Sequence, residues 1–99
     1  MQGDFLLPVD GLLHGQGVRC TAGSLKRLFA RRAAAGSITV PDATAGDPSV
    51  SSRSAALGDR LAPGESRWYF VHYRDAAVRD CAADRTINAT QIRQVTWAP

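Results

Sequence analysis

The densest run of apolar positions is Ser66 to Asp75, SRWYFVHYRD, opened by the turn residues Ala62-Pro63-Gly64-Glu65. Read with period two, it puts Trp68, Phe70 and His72 on one face and Tyr69, Val71 and Tyr73 on the other. Both faces are apolar, which predicts a central strand covered on both sides or a strand with one aromatic face turned to a partner. A closing strand is predicted over Ile92 to Trp97, with Ile92, Gln94 and Thr96 opposing Arg93, Val95 and Trp97. Shorter strands fit Ser37 to Val40 and Val50 to Arg53. Turn residues recur between these runs at Gly11, Gly15, Gly17, Gly23, Gly36, Gly58-Asp59 and Pro63-Gly64, so only short elements fit. That spacing favours an all-β fold, a small antiparallel β-sandwich of the Ig-like or jelly-roll-like kind. Pro41 to Ser52 reads as a long surface loop leading into a strand. Ser54 to Gly58 and Asn88 to Gln91 read as single helical turns, the second from its cap-like Asn.

Local reasoning divides over Ser24 to Gly36. Leu25, Leu28, Phe29 and Ala33 share one helical face, Ser24 suits the start, Arg31 and Arg32 suit the C-terminal end, and Gly36 suits the stop. A strand, a turn at Ala33 to Gly36 and a second strand form the alternative.

Composition narrows the classes. With 99 residues and 44% hydrophobic positions, the chain has room for one small core. No run of 18 apolar residues is present, so no membrane span is expected. The net charge is +3, carried by eleven Arg and one Lys spread from Arg19 to Arg93, with one cluster at Lys26, Arg27, Arg31 and Arg32. Without a helix-turn-helix, zinc-finger or RNP-like signature, this reads as a solvated face and not as a nucleic-acid surface.

Cys20 and Cys81 belong to no CxxC or Cys/His metal spacing, so no metal site is expected. In an oxidising compartment they can pair, and closing so long a loop would stabilise the fold by about 4 kcal/mol; two unrelated buried thiols are the alternative. Catalysis and cofactors are not expected. The nine carboxylates fall mostly at turns, and no G-x-S-x-G, P-loop or dinucleotide fingerprint is present. The D-x-D-x-D-G spacing of a calcium loop is absent too. Asn88-Ala89-Thr90 has the form of a glycosylation sequon. The stretch Phe5 to Leu13 is apolar but broken by Pro8, Asp10 and Gly11, with no basic residue before it, so it is not a secretory signal.

Several stretches carry a resemblance. Gly17-Val18-Arg19-Cys20, Gly23-Ser24-Leu25-Lys26-Arg27-Leu28-Phe29, Gly46-Asp47-Pro48-Ser49-Val50, Arg53-Ser54-Ala55-Ala56-Leu57-Gly58-Asp59, Leu61-Ala62-Pro63-Gly64 and Tyr73-Arg74-Asp75 are among them. Together they resemble a module near the ends of uncharacterised secreted proteins of planctomycetes and myxobacteria, over most of residues 15 to 97. The resemblance implies export, with a signal upstream of this stretch, a Cys20–Cys81 bridge, a β-sandwich, and a hairpin over Ser24 to Gly36. It implies no reaction. Where a Pro commonly follows Arg-Asp in that module, this chain has Ala76.

Residues 1 to 14 lie outside the resemblance and form an apolar arm with Phe5, Leu6, Leu7, Val9, Leu12 and Leu13. The arm is either the first strand of the 15–99 sandwich domain or a strand exchanged between neighbours, which would complete an otherwise incomplete sandwich. The functional expectation is a non-catalytic, extracellular structural or adhesive module that self-associates into an oligomer or fibre, or joins another surface protein, by strand addition. The alternative is a ligand- or carbohydrate-binding module. Candidate interaction residues are Phe5, Leu6, Leu7 and Val9 on the arm and Trp68, Tyr69 and Tyr73 on the aromatic strand.

Overall fold

The computed structural model describes residues 1–7, 12–14, 17–74 and 87–98. They are mainly β, in antiparallel pairs, with one short helix. The strands are β1 (Gln2–Gly3), β2 (Phe5–Leu6), β3 (Leu12–His14), β4 (Gly17–Arg19), β5 (Thr21–Ala22), β6 (Ser66–Tyr69), β7 (His72–Arg74), β8 (Ile87–Ala89) and β9 (Arg93–Thr96). A three-stranded sheet runs β1-β6-β9, and β2-β5, β3-β4 and β7-β8 are two-stranded.

The aromatic run supplies the central strand, as its pattern predicts, but as two pieces. Its first half is β6, with Trp68 opposite both Gly3 and Gln94, and Tyr69 opposite both Gln2 and Arg93. Phe70 and Val71 then leave the strand, and β7 resumes at His72 to pair with β8. Phe70 still exchanges two hydrogen bonds with Met1, at 3.2 and 3.0 Å. Val71 instead bonds through its N–H to Thr90 Oγ1 at 2.9 Å and through its carbonyl to Thr90 N at 2.8 Å. The predicted two-face alternation nevertheless continues in burial: Phe70 is buried and His72 half-buried, while Val71 and Tyr73 are exposed.

The N-terminal residues are strands of their own domain. Gln2 and Gly3 pair with β6, while Phe5 and Leu6 pair with Ala22 and Thr21 of β5. Gly3 is required at that position: a Cβ would run into Thr21 Oγ1 and lie 3.0 Å from the Ala22 carbonyl. Val9 lies outside the described residues.

Three local expectations are corrected. Val50 to Arg53 is not a strand but the start of helix α1 (Val50–Ala56), of which the expected turn at Ser54 to Gly58 is only the end. Ser49 caps it by accepting from Ser52 N at 3.2 Å, and Gly58, at φ 88°, ends it while donating to the Ala55 carbonyl at 3.0 Å. Asn88 to Gln91 is not a helical turn, because Ile87–Ala89 form β8 against β7. Ser37 to Val40 makes only an isolated bridge, Ala34 to Ser37. That bridge closes a two-residue turn in which Ala35 and Gly36 both have positive φ, 52° and 78°, so Ser24 to Gly36 follows its hairpin alternative at the turn and is not helical. The expected loop from Pro41 also holds a short 3-10 turn, Ala43–Ala45, capped by the Asp42 carboxylate.

Among the described residues only Leu28 and Phe70 are buried hydrophobics. Burying each contributes about 1.5–3 kcal/mol. Much of the remaining order is polar. The Gln2 side chain is fully buried and donates from Nε2 to Ser54 Oγ at 2.8 Å and to Asp59 Oδ2 at 2.7 Å, joining β1 to the helix. Arg67, on the same face of β6, grips Asp59 with two bonds of 2.9 and 2.8 Å. The opposite face carries Ser66, Gln94 and Thr96 in a chain of side-chain hydrogen bonds.

Candidate functional site

The functional candidate is an open trough of about 600 Å³ between the residue 27–40 segment and the β6–β7 junction. Leu28 and Phe70 form its floor, and Phe29, Ile38, Val40 and Val71 form its apolar sides. Helix α1 reaches it with Val50 and holds the wall in place, because Arg53 Nε donates to the Leu28 carbonyl at 2.8 Å. At Phe70 and Val71 the chain changes pairing partner, from Met1 to Thr90, and Tyr69, Phe70, Val71 and His72 all line the trough at this change.

Four arginines line the trough, Arg27 and Arg31 from one side and Arg74 and Arg93 from the other, and among the described residues no carboxylate does. Arg31 is paired with Asp47. Arg27, Arg74 and Arg93 make no ion pair among the described residues. The described lining therefore combines an apolar base with positive charge, an arrangement that favours a partly apolar anion. Tyr69 closes one end: its hydroxyl accepts from Trp97 Nε1 at 3.2 Å, and burial pushes its phenol above the ordinary value.

Of the sequence candidates among the described residues, Tyr69 alone lines the trough. Trp68 lies on the opposite face of β6, and Tyr73 is exposed on β7. The three aromatics thus form no common stacking platform. Phe5 and Leu6 are about half exposed on β2, at 49% and 50%, while Leu7 is half-buried and donates to the Cys20 carbonyl at 2.8 Å. Cys20 is half-buried, and Cys81 lies outside the described residues, as does the Ala76 position. Arg74 and Arg93 were missed because they stand far in sequence from the Lys26 to Arg32 cluster that they join in space.

No group of three or more His, Cys, Asp or Glu side chains able to hold a metal ion occurs among the described residues, and no helix among them is long and apolar enough to cross a membrane. Comparison with protein-family models, curated proteins and solved structures finds no match for this chain.

Proposed function

We propose that the chain is a non-catalytic, extracellular structural or adhesive module that self-associates by strand addition. Its mainly β fold is then an incomplete small sandwich that becomes part of a larger sheet on assembly. The supporting observation is the outer edge of β9. Trp97 donates to the Glu65 carbonyl at 2.9 Å and accepts from Gly64 N at 2.8 Å, so by alternation Arg93 and Val95 also turn their backbone groups toward β6. Gln94 and Thr96 then turn theirs outward, where no strand among the described residues pairs with β9. The other edge differs: Gln2 and Lys26 exchange two backbone bonds of 2.8 Å beside β1 and close it.

A second copy suits the open edge. Antiparallel pairing about Gln94 or about Val95 sets Arg93 opposite Val95 or Trp97 of the other copy, which keeps the two arginines apart. Pairing the two edges gives such a union an energetic reason, since it satisfies the outward backbone groups of both and extends the sheet beyond what either unit holds alone. The Cys20–Cys81 bridge and export belong to the same reading, and alkylation of unreduced protein from the secreting cell should then leave both thiols unlabelled.

Light scattering across a concentration series tests the assembly. The native chain should gain mass with concentration, and Gln94→Pro should remain monomeric. Proline at that position removes an outward N–H and the long side-chain bond to Ser66 Oγ but no backbone bond to β6, so the ladder survives, which circular dichroism checks. A native chain that is monomeric throughout, or a Gln94→Pro variant that assembles equally well, overturns the proposal.

A further inference from the structure

Beyond self-association, we infer that the arginine-lined trough is a docking site for an acidic, extended peptide segment of another protein, one that alternates carboxylates with aliphatic side chains. Three observations converge on that occupant. The first is charge: Arg27, Arg74 and Arg93 face the trough without a carboxylate partner among the described residues, so bound carboxylates meet three cations that no described acid holds. The second is the apolar base. Phe29, Ile38, Val40 and Val71 surround Leu28 and Phe70, and Ile38, Val40 and Val71 are themselves exposed. A segment carrying charge alone would leave this surface wet, whereas alternating aliphatic side chains cover it.

The third is the backbone of the wall. Residues 27–33 lie outside every helix and strand and make no backbone–backbone hydrogen bond among the described residues. Their carbonyl bonds are to side chains, Leu28 from Arg53 and Ala30 from Arg31. The remaining N–H and C=O groups, without a partner among the described residues and beside an apolar groove, are the features that an added strand requires. A lipid carboxylate offers a single charge to three separated arginines and no backbone. A nucleic acid offers phosphates but no aliphatic side chains for the base of the trough.

Fluorescence anisotropy with two labelled peptides of about eight residues, one alternating Glu and Val and the other Lys and Val, tests the inference. The Glu–Val peptide should bind saturably and more weakly as salt rises, and the Lys–Val peptide should not bind. The double variant Arg27→Glu/Arg74→Glu should lose about tenfold in affinity. Both positions are exposed, and circular dichroism checks that the fold persists. The Gln94→Pro variant should bind the Glu–Val peptide as the native chain does, so that failure of self-association and failure of docking are told apart. Equal binding of the two peptides, an unchanged affinity in the double variant, or tighter binding to phosphatidylserine vesicles or single-stranded DNA than to the Glu–Val peptide overturns the inference.

Discussion

Where β1, β6 and α1 meet, Gln2, Ser54, Asp59 and Arg67 occupy one another's hydrogen-bonding groups, and among the described residues only Gln2 Oε1 remains a buried side-chain atom without a partner. At the trough, a short distance along the same sheet, the proportions reverse. Apolar side chains are exposed, and among the described residues three of the four arginines have no ion pair and the backbone of residues 27–33 makes no backbone–backbone hydrogen bond. The difference teaches that the molecule spends its directional bonds on holding its strands and helix together and leaves apolar surface and positive charge uncovered. A module that works by association needs that division, since the surface it offers cannot also be its own core.

The contrast can be broken most severely at the floor shared by both regions. Phe70→Ala should destabilise the chain by about 3 kcal/mol, because it removes one of the two hydrophobics that are buried among the described residues and leaves a cavity under the trough. Urea denaturation measures it, and Val71→Ala, at a neighbouring residue that is 49% exposed, should cost far less.

A smaller loss is expected from the polar junction. Arg67→Ala should cost about 2 kcal/mol, since it leaves Asp59 with Gln2 as its remaining side-chain donor. Its signature is the pH dependence. The bonds from Arg67 hold the Asp59 carboxyl below the ordinary carboxylate range, so the contribution is present above about pH 4 and lost as pH falls through the lower folded value. The stability gap between native chain and variant should therefore close in acid; a gap that stays constant would place the effect in packing instead. The smallest effect sharpens the comparison from the other side. Ile38→Ser, at an exposed side of the trough, should change folding stability by less than about 0.5 kcal/mol.

The sequence made β6 and β9 legible, because aromatic and β-branched residues cluster at Ser66–Tyr69 and Val95 and Thr96 mark the close. It hid the change of partner after Tyr69, since apolar residues continue on both faces and no Gly or Pro marks the place. Helix α1 was obscured for a different reason. Its sequence, VSSRSAA, has no apolar stripe, and its one buried residue is Ser54, which is held by hydrogen bonds to Gln2 and Asp59. The readable signals were the caps, Ser49 before it and Gly58 after it. The trough itself could not be read, because its arginines come from segments that only the fold brings together, and neither the Arg27 nor the Arg93 stretch has a pattern pointing to the other.

The three-stranded sheet has a consequence for how the chain comes to be folded. Its members are Gln2–Gly3, Ser66–Tyr69 and Arg93–Thr96, so the central strand waits for neighbours drawn from opposite ends of this stretch. During synthesis, β1 emerges first and has no β6 to join, and β6 emerges before β9 exists. Local hairpins such as β3–β4 are able to form early, but the sheet closes only after residue 96 has left the ribosome. Until then the apolar run at Trp68 to Val71 is exposed on an unfinished chain, and that interval is when the protein is most open to aggregation.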